Sequence, residues 1–353
     1  MWPSEQELNP NNERRCLNMS DQYPVTLLFA DGTMCNGRGQ SGQKLVDIAQ
    51  EMGLSLLTDC SNGQCGTCVA QCVSGSMVLD DYDSSVLSDD ERHEGSVLCC
   101  VARVSGPVVV ELPYDASDAS GQELPGQTGV VLSVTKVAEE IVQLKVEIPK
   151  GIDFLPGQYV RLQADGMSEP RSYSMANESG SRVLDFYVRV VDGGQFSSWL
   201  TTKAKPGVAI EVSAPRGSFF LRENDRPRLM VAGGSGLAPM LAMLQSLAQS
   251  SKVVRDVPTK LLIGARSGAH LFASKEIEEL KHKLPSLEVQ IATETQVPQG
   301  AHTGYPTDLI GSSPLTPNAQ IYVCGPPPMV DGARAAALKA GARKSDVLCE
   351  RFN

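Results

Sequence analysis

Three cysteines fall within nine residues of this chain, in the run Cys60-Ser-Asn-Gly-Gln-Cys65-Gly-Thr-Cys68. C-x4-C-x2-C is the spacing of a binuclear iron–sulfur cage, which asks four thiolates to converge on two irons. A tight loop can deliver three of them and a distant element the fourth. Gly63 and Gly66 let the backbone come close to the inorganic sulfides, where N–H groups tune the potential. A structural zinc site usually takes two C-x2-C-like pairs, and only one is present here. The fourth ligand falls to Cys99 or Cys100, while Cys35 and Cys72 read as small core residues.

The stretch Gly95-Ser-Val-Leu-Cys99-Cys100 resembles the Gly-x-Val-Leu-x-Cys of plant-type ferredoxins. That resemblance assigns the last ligand to Cys100, giving the set Cys60, Cys65, Cys68 and Cys100.

Further along, Arg171-Ser172-Tyr173-Ser174 brings a guanidinium fork suited to phosphate, an aromatic face and hydroxyl donors into one tetrapeptide. Ser197 stands where a helix is expected to begin, over residues 196–203, a position suited to a helix cap or to a phosphate. The order of four motifs resembles the flavin domain of the ferredoxin–NADP reductase superfamily: Pro156-Gly157-Gln158-Tyr159-Val160, the Arg171 tetrapeptide, Gly193-Gly194-Gln195-Phe196-Ser197 and Pro215-Arg216-Gly217-Ser218-Phe219. The resemblance implies Arg171 and Ser172 at a flavin phosphate, Tyr173 stacked on the isoalloxazine ring and Ser174 near N5. It also implies that Gly194, Gln195, Phe196 and Ser197 hold the pyrophosphate.

Val231-Ala-Gly233-Gly234-Ser235-Gly236-Leu237-Ala238-Pro239 joins a strand to a helix without meeting G-x-G-x-x-G. It is similar to the G-T-G-x-A-P turn of the same superfamily, with Ser235 for Thr, which implies a dinucleotide over Gly233, Gly234, Ser235 and Gly236. Cys324-Gly325-Pro326-Pro327-Pro328-Met329 resembles C-G-P-x-x-M, placing Cys324, Gly325 and Pro326 at the nicotinamide. Glu350-Arg351-Phe352 looks like the superfamily's acidic-x-aromatic terminus, with Phe352 covering the flavin until nicotinamide displaces it. Gly264-Ala-Arg266-Ser267 offers no acid to a ribose 2′-hydroxyl, and Arg266 suits a 2′-phosphate. Three-module relatives mostly use NADH, and that resemblance sets the expectation of NADH.

The elements that must position these residues divide the chain into a disordered arm (1–23), an α+β unit (24–113), a polar linker (114–126), short strands in an antiparallel barrel (127–224) and a parallel α/β unit (225–353). Translation could start at Met1 or Met19. In the second segment Leu45, Ile48, Ala49 and Met52 recur at helical spacing. In the last, apolar runs at 229–232, 261–264, 287–291, 321–324 and 347–349 alternate with helical stretches, the rhythm of a parallel sheet. Leu229–Ser251 runs 23 residues without a charge, but Gly233, Gly234, Gly236 and Pro239 break it into strand, turn and buried helix.

The net charge of −10 argues against nucleic-acid binding. Between residues 24 and 113, eight Asp and four Glu stand against Arg38, Lys44, Arg92 and Arg103, a net −8 that suits docking on a basic partner. Residues 1–22 hold no apolar run of signal-peptide length. A cytoplasmic, monomeric protein with no membrane attachment is expected.

The order of modules resembles the reductase components of bacterial ring-hydroxylating dioxygenases, nearest to the benzoate, toluate and anthranilate group. That group's Gly-Asp-Asp-Tyr is matched by Val78-Leu79-Asp80-Asp81-Tyr82, with Leu79 for Gly, and the match runs on through Leu87-Ser-Asp-Asp-Glu91. The fold implied is a β-grasp ferredoxin, an antiparallel β-barrel for FAD and an α/β parallel sheet for the nicotinamide. NADH gives two electrons together and a cluster accepts one, so a flavin that changes by one or by two must lie between them. No general acid or base is expected, because the protein is a relay to a separate terminal oxygenase. A di-iron monooxygenase or a deoxygenating enzyme as partner would call for the same modules.

Overall fold

The computed structural model describes residues 22–84, 86–119, 126–222, 224–311 and 316–352. Residues 1–21 of the expected arm and 120–125 of the expected linker lie outside them.

The first unit is a mixed sheet in the order Met34–Gln40, Gln22–Leu28, Val108–Glu111, Val69–Ser74, Ser96–Leu98. Alternation along Gln22–Leu28 buries Val25 and Leu27 on one face. The helix Leu45–Glu51 lays Leu45, Ile48 and Ala49 across that face. Seven residues are too few for an isolated helix. Burial of Leu45 and Ile48, roughly 1.5–3 kcal/mol each, holds it in place. Cys35 and Cys72 are only partly buried at the rim of this core. The segment read as a linker departs from expectation in its first half. Ala116–Ala119 is a helical turn with Ala119 fully buried, and the Tyr114 hydroxyl accepts from Leu57 N–H at 3.2 Å.

The second unit is antiparallel, in the order Arg171–Ser174, Tyr159–Gln163, Ala209–Val212, Gln127–Ala138, Ile141–Glu147, Val183–Arg189. Its ends meet where Ala176 N–H donates to the Asp185 carbonyl at 2.8 Å, which closes the barrel.

The third is a parallel sheet in the order His302–Thr303, Leu287–Thr295, Thr259–Ser267, Arg228–Gly233, Gln320–Gly325, Val347–Arg351. Every residue of Arg228–Gly233 and Gln320–Gly325 is buried, as strands covered on both faces must be. The charge-free 229–251 run is strand, a 3-10 turn at Gly234–Gly236 and the helix Leu237–Gln249. Among the described residues no helix is long and apolar enough to cross a membrane.

The first unit is docked on the other two. Phe220 enters its core and Leu155 packs against it. Glu91 pairs with Arg334, and Lys344 Nζ lies 2.7 Å from Glu94.

Candidate functional site

Antiparallel pairing of Val69–Ser74 with Ser96–Leu98 sets Val69 opposite Leu98, so the residues just beyond each strand end meet. Cys99 N–H donates to the Cys68 carbonyl at 3.0 Å, and Cys100 Sγ lies 3.2 Å from Cys68 Sγ. Cys60 accepts hydrogen bonds from the Cys100 and Cys65 thiols, which lowers its own pKa and raises both of theirs. Backbone N–H groups point at the sulfurs: Gln64 at Cys60 at 3.2 Å, Gly63 at Cys100 and Thr67 at Cys65. The φ of Gly63 is +77°, and a Cβ there would stand 2.6 Å from Tyr82 Cβ, so only glycine fits. The Thr67 hydroxyl is buried beside the Cys65 sulfur, whose thiol pKa it lowers.

Among the described residues no three metal-ligating side chains surround a single ion. The sulfurs instead interact in a chain, Cys65 with Cys60, Cys60 with Cys100 and Cys100 with Cys68, and four thiols converging on one pocket is what a binuclear cluster requires. The thiol set and its N–H donors fit that group. Cys99, fully buried, turns into the core, and burial raises its thiol pKa.

A second constellation lies at the C-terminal ends of the parallel strands. Arg228–Gly233 opens that sheet from its middle, with Thr259–Ser267 on one side and Gln320–Gly325 on the other. The crevice beyond Gly233 and Cys324 is therefore the switch point at which such sheets take ligands. Gly236 lies hard against this crevice, where a Cβ would be 2.2 Å from the Cys324 carbonyl. Strand register sets Cys324 beside Glu350. The Ser174 hydroxyl donates to Glu350 Oε2 at 3.3 Å, and the Cys324 thiol reaches the same oxygen at 3.8 Å. Burial, with the Asp59 carboxylate as a smaller contributor, pushes the Glu350 pKa up to about 8. Ser174 from the barrel and Cys324 from the parallel sheet thus meet on one buried acid at the seam between those units. Sequence reasoning named Glu350 only within the terminal motif. An acid that closes the apolar run at 347–349 was the available signal.

The other expected flavin residues line the barrel side. Tyr173 stacks on Phe196 with ring centroids 4.6 Å apart, and Phe196 packs in turn on Trp199. Phe196 is buried behind Tyr173, which leaves Tyr173 as the aromatic surface for a ligand. Arg171 and Ser172 are exposed, with Arg171 beside Glu169 at 3.3 Å. The helix runs Gln195–Thr202, one residue earlier than expected, with Gly194 at its N-cap. Ser197 Oγ accepts from Val191 N–H at 2.9 Å, which leaves its proton to donate, and Gln195 accepts from Ser168 at 3.2 Å. Gly234 and Ser235 form the turn before Leu237–Gln249. Gly325 accepts from Phe352 N–H at 2.9 Å, with Pro326 capping the next helix. Arg266 is held by Glu140 of the barrel at 2.6 Å, so its charge is already answered within the chain.

A cysteine cage, a barrel and a switch-point crevice in one chain define an iron–sulfur flavoprotein reductase. Residues 30–105 match the 2Fe-2S iron-sulfur cluster binding domain, 129–221 the oxidoreductase FAD-binding domain and 230–335 the oxidoreductase NAD-binding domain. The toluate 1,2-dioxygenase electron transfer component of Pseudomonas putida is 31% identical over 94% of this chain and 98% of its own length. The xylene/toluene monooxygenase electron transfer component of Pseudomonas putida is 34% identical over 88% and 89%. The crystal structure of the Amycolatopsis cytochrome P450 reductase GcoB matches with a TM-score of 0.69 at 26% identity, covering 94% of this chain and 98% of that one. The chain belongs to the family of oxygenase electron transfer components, in which a 2Fe–2S domain is fused to FAD- and NAD-binding reductase domains. It is an oxidoreductase that carries electrons from NADH through FAD to 2Fe–2S.

Proposed function

We propose that this protein is the NADH-dependent reductase of a terminal aromatic-ring dioxygenase, held in the cytoplasm as a monomer. Cys60, Cys65, Cys68 and Cys100 are its cluster ligands. One observation carries the reading. The cysteine loop has two faces, with Cys65 and Thr67 against the reductase units and Ser61, Asn62 and Gln64 exposed. Such a loop takes electrons from inside and delivers them outside.

FAD and the cluster supply the change from paired to single electrons, and the side chains supply placement. Arg171, Ser172, Gly194, Gln195 and Ser197 hold the flavin phosphates, Phe196 backs Tyr173 against the ring, and Ser174 donates at its reactive edge. Gly233, Gly234, Ser235 and Gly236 cradle the nicotinamide dinucleotide. Cys324, Gly325 and Pro326 border its nicotinamide, and Phe352 covers the flavin until that ring arrives. Domain limits near 24–113, 127–224 and 225–353 are proposed, with Tyr114 and Ala119 packed in the core of the first unit supporting a first limit nearer 119.

The likeness to a monooxygenase component supports a second reading, in which the partner is a di-iron hydroxylase. Purified protein reduced with NADH and mixed separately with a Rieske-type oxygenase and a di-iron hydroxylase decides between them. Faster reoxidation by the Rieske-type partner is expected, and preference for the hydroxylase would replace the first reading with the second.

A further inference from the structure

The strand Val347–Arg351 ends in two charged residues that face opposite ways, as neighbours on a strand must. Glu350 turns to Ser174 and Cys324. Arg351 turns to the cysteine loop. Its side chain is only 6% exposed. Nε and Nη2 both donate to Asp331 Oδ1, at 3.1 and 2.6 Å, and Asp331 belongs to the helix Pro327–Lys339 that follows Cys324-Gly325-Pro326. This double contact fixes the plane of the guanidinium and aims Nη1 at the Cys65 carbonyl, 3.4 Å away. A Cβ on Gly66 would lie 3.2 Å from the same nitrogen. Two residues on, the Thr67 carbonyl accepts from the barrel's Ser218 hydroxyl at 2.5 Å. The loop is thus held at one carbonyl by the flavin unit and at another by the nicotinamide unit.

We propose that Arg351 is a positioning residue that clamps the cluster loop to the hydride-transfer strand and, through its charge, sets the potential of the cluster. The inference rests on the reading of Cys65 as a cluster ligand. Arg351 shares a strand end with the hydride pocket yet points away from it. It therefore acts on the receiving centre without touching NADH or flavin. A fixed cation beside a centre that gains an electron favours the reduced form. Asp331 offsets part of that charge, so the two side chains act on the cluster with opposite sign. A filler of space would show no such opposition.

The test uses the holoprotein as wild type, Arg351→Gln, Arg351→Lys and Asp331→Asn, with redox titration of the cluster followed by electron paramagnetic resonance. Arg351→Gln should lower the cluster potential by about 59 mV, a tenfold change in its oxidised-to-reduced ratio for one electron. Flavin-to-cluster transfer in stopped flow should slow, with NADH-to-flavin reduction unchanged within about twofold. Arg351→Lys should recover most of the potential, and Asp331→Asn should move it upward. A wild-type potential in Arg351→Gln, equal potentials for Gln and Lys, or a downward shift in Asp331→Asn would overturn the proposal. If Arg351→Gln assembles no cluster, the Lys and Asn variants decide it by the same signs. A Cys65→Ser variant with an unaltered 2Fe–2S spectrum would instead remove the ligand reading, whatever the Arg351 series gave.

Discussion

Cys99 and Cys100 differ by one position and by everything that matters to a cluster. Cys100 Sγ touches Cys68 Sγ at 3.2 Å, whereas Cys99 is sealed in the core. Cys100→Ser should abolish the 2Fe–2S resonance. Cys99→Ser should keep it while losing roughly 1–3 kcal/mol of stability, because a hydroxyl is then buried without a partner. Loss of the resonance in the second variant would reverse the assignment. Glu350 offers a prediction in pH. Its pKa rises from 4.5 to about 8 on folding, so the native state holds a proton there that the unfolded chain has released. The contribution is complete below pH 4.5 and is lost as pH climbs through 8. Urea unfolding at pH 5 and pH 9 should give a loss on the order of a few kcal/mol in wild type that Glu350→Gln does not show. Equal pH dependence in both would mean that this carboxyl titrates normally.

At the scale of elements, legibility followed burial pattern. Two inner strands of the parallel sheet, Arg228–Gly233 and Gln320–Gly325, are covered on both faces, and with the three other principal strands they stand out as apolar runs. The edge strand His302–Thr303 is two residues long and polar, and it gave no signal. The barrel's closing contact joins Ala176 to Asp185 through backbone alone, so no side-chain pattern could report it. Polar composition at 114–119 suggested a free linker, yet two small anchors, Tyr114 and Ala119, fasten it. The glycine turn at Gly233–Gly236 was legible as a turn, but its tolerance depends on a neighbour distant in sequence. A methyl group on Gly236 meets the Cys324 carbonyl, which is backbone and has no rotamer to yield. Gly236→Ala should therefore force the turn from the strand end, cost about 1–3 kcal/mol, and weaken NADH binding tenfold or more, about 1.4 kcal/mol. Calorimetry and the NADH-concentration dependence of flavin reduction in stopped flow measure the two effects, and a wild-type half-saturating NADH concentration would show that the crevice bends without consequence.

Charge divides the whole molecule into contacts it keeps and contacts it offers. Part of the acidic excess of the ferredoxin unit is used internally: Glu91 is buried against Arg334, Glu94 meets Lys344, and Asp80 meets Arg103 at 2.7 Å. Asp81, Asp89 and Asp90 remain exposed, and Asp81 adjoins the cysteine loop, with its carbonyl 3.5 Å from the Cβ position of Gly63. Salt acts differently on the two sets. Between ionic strengths of 0.01 and 0.15 M the screening length falls from about 30 to about 8 Å, which weakens steering between separate proteins far more than pairs already in contact. Transfer from the reduced reductase to its oxygenase should fall about tenfold or more over that range. Flavin-to-cluster transfer within the chain should change by less than about twofold, because the docked interface is shielded from solvent. Stopped flow with and without the partner separates the two rates. An equal decline in both would mean that the ferredoxin unit undocks to deliver its electron, and that the acids counted as internal face the partner as well.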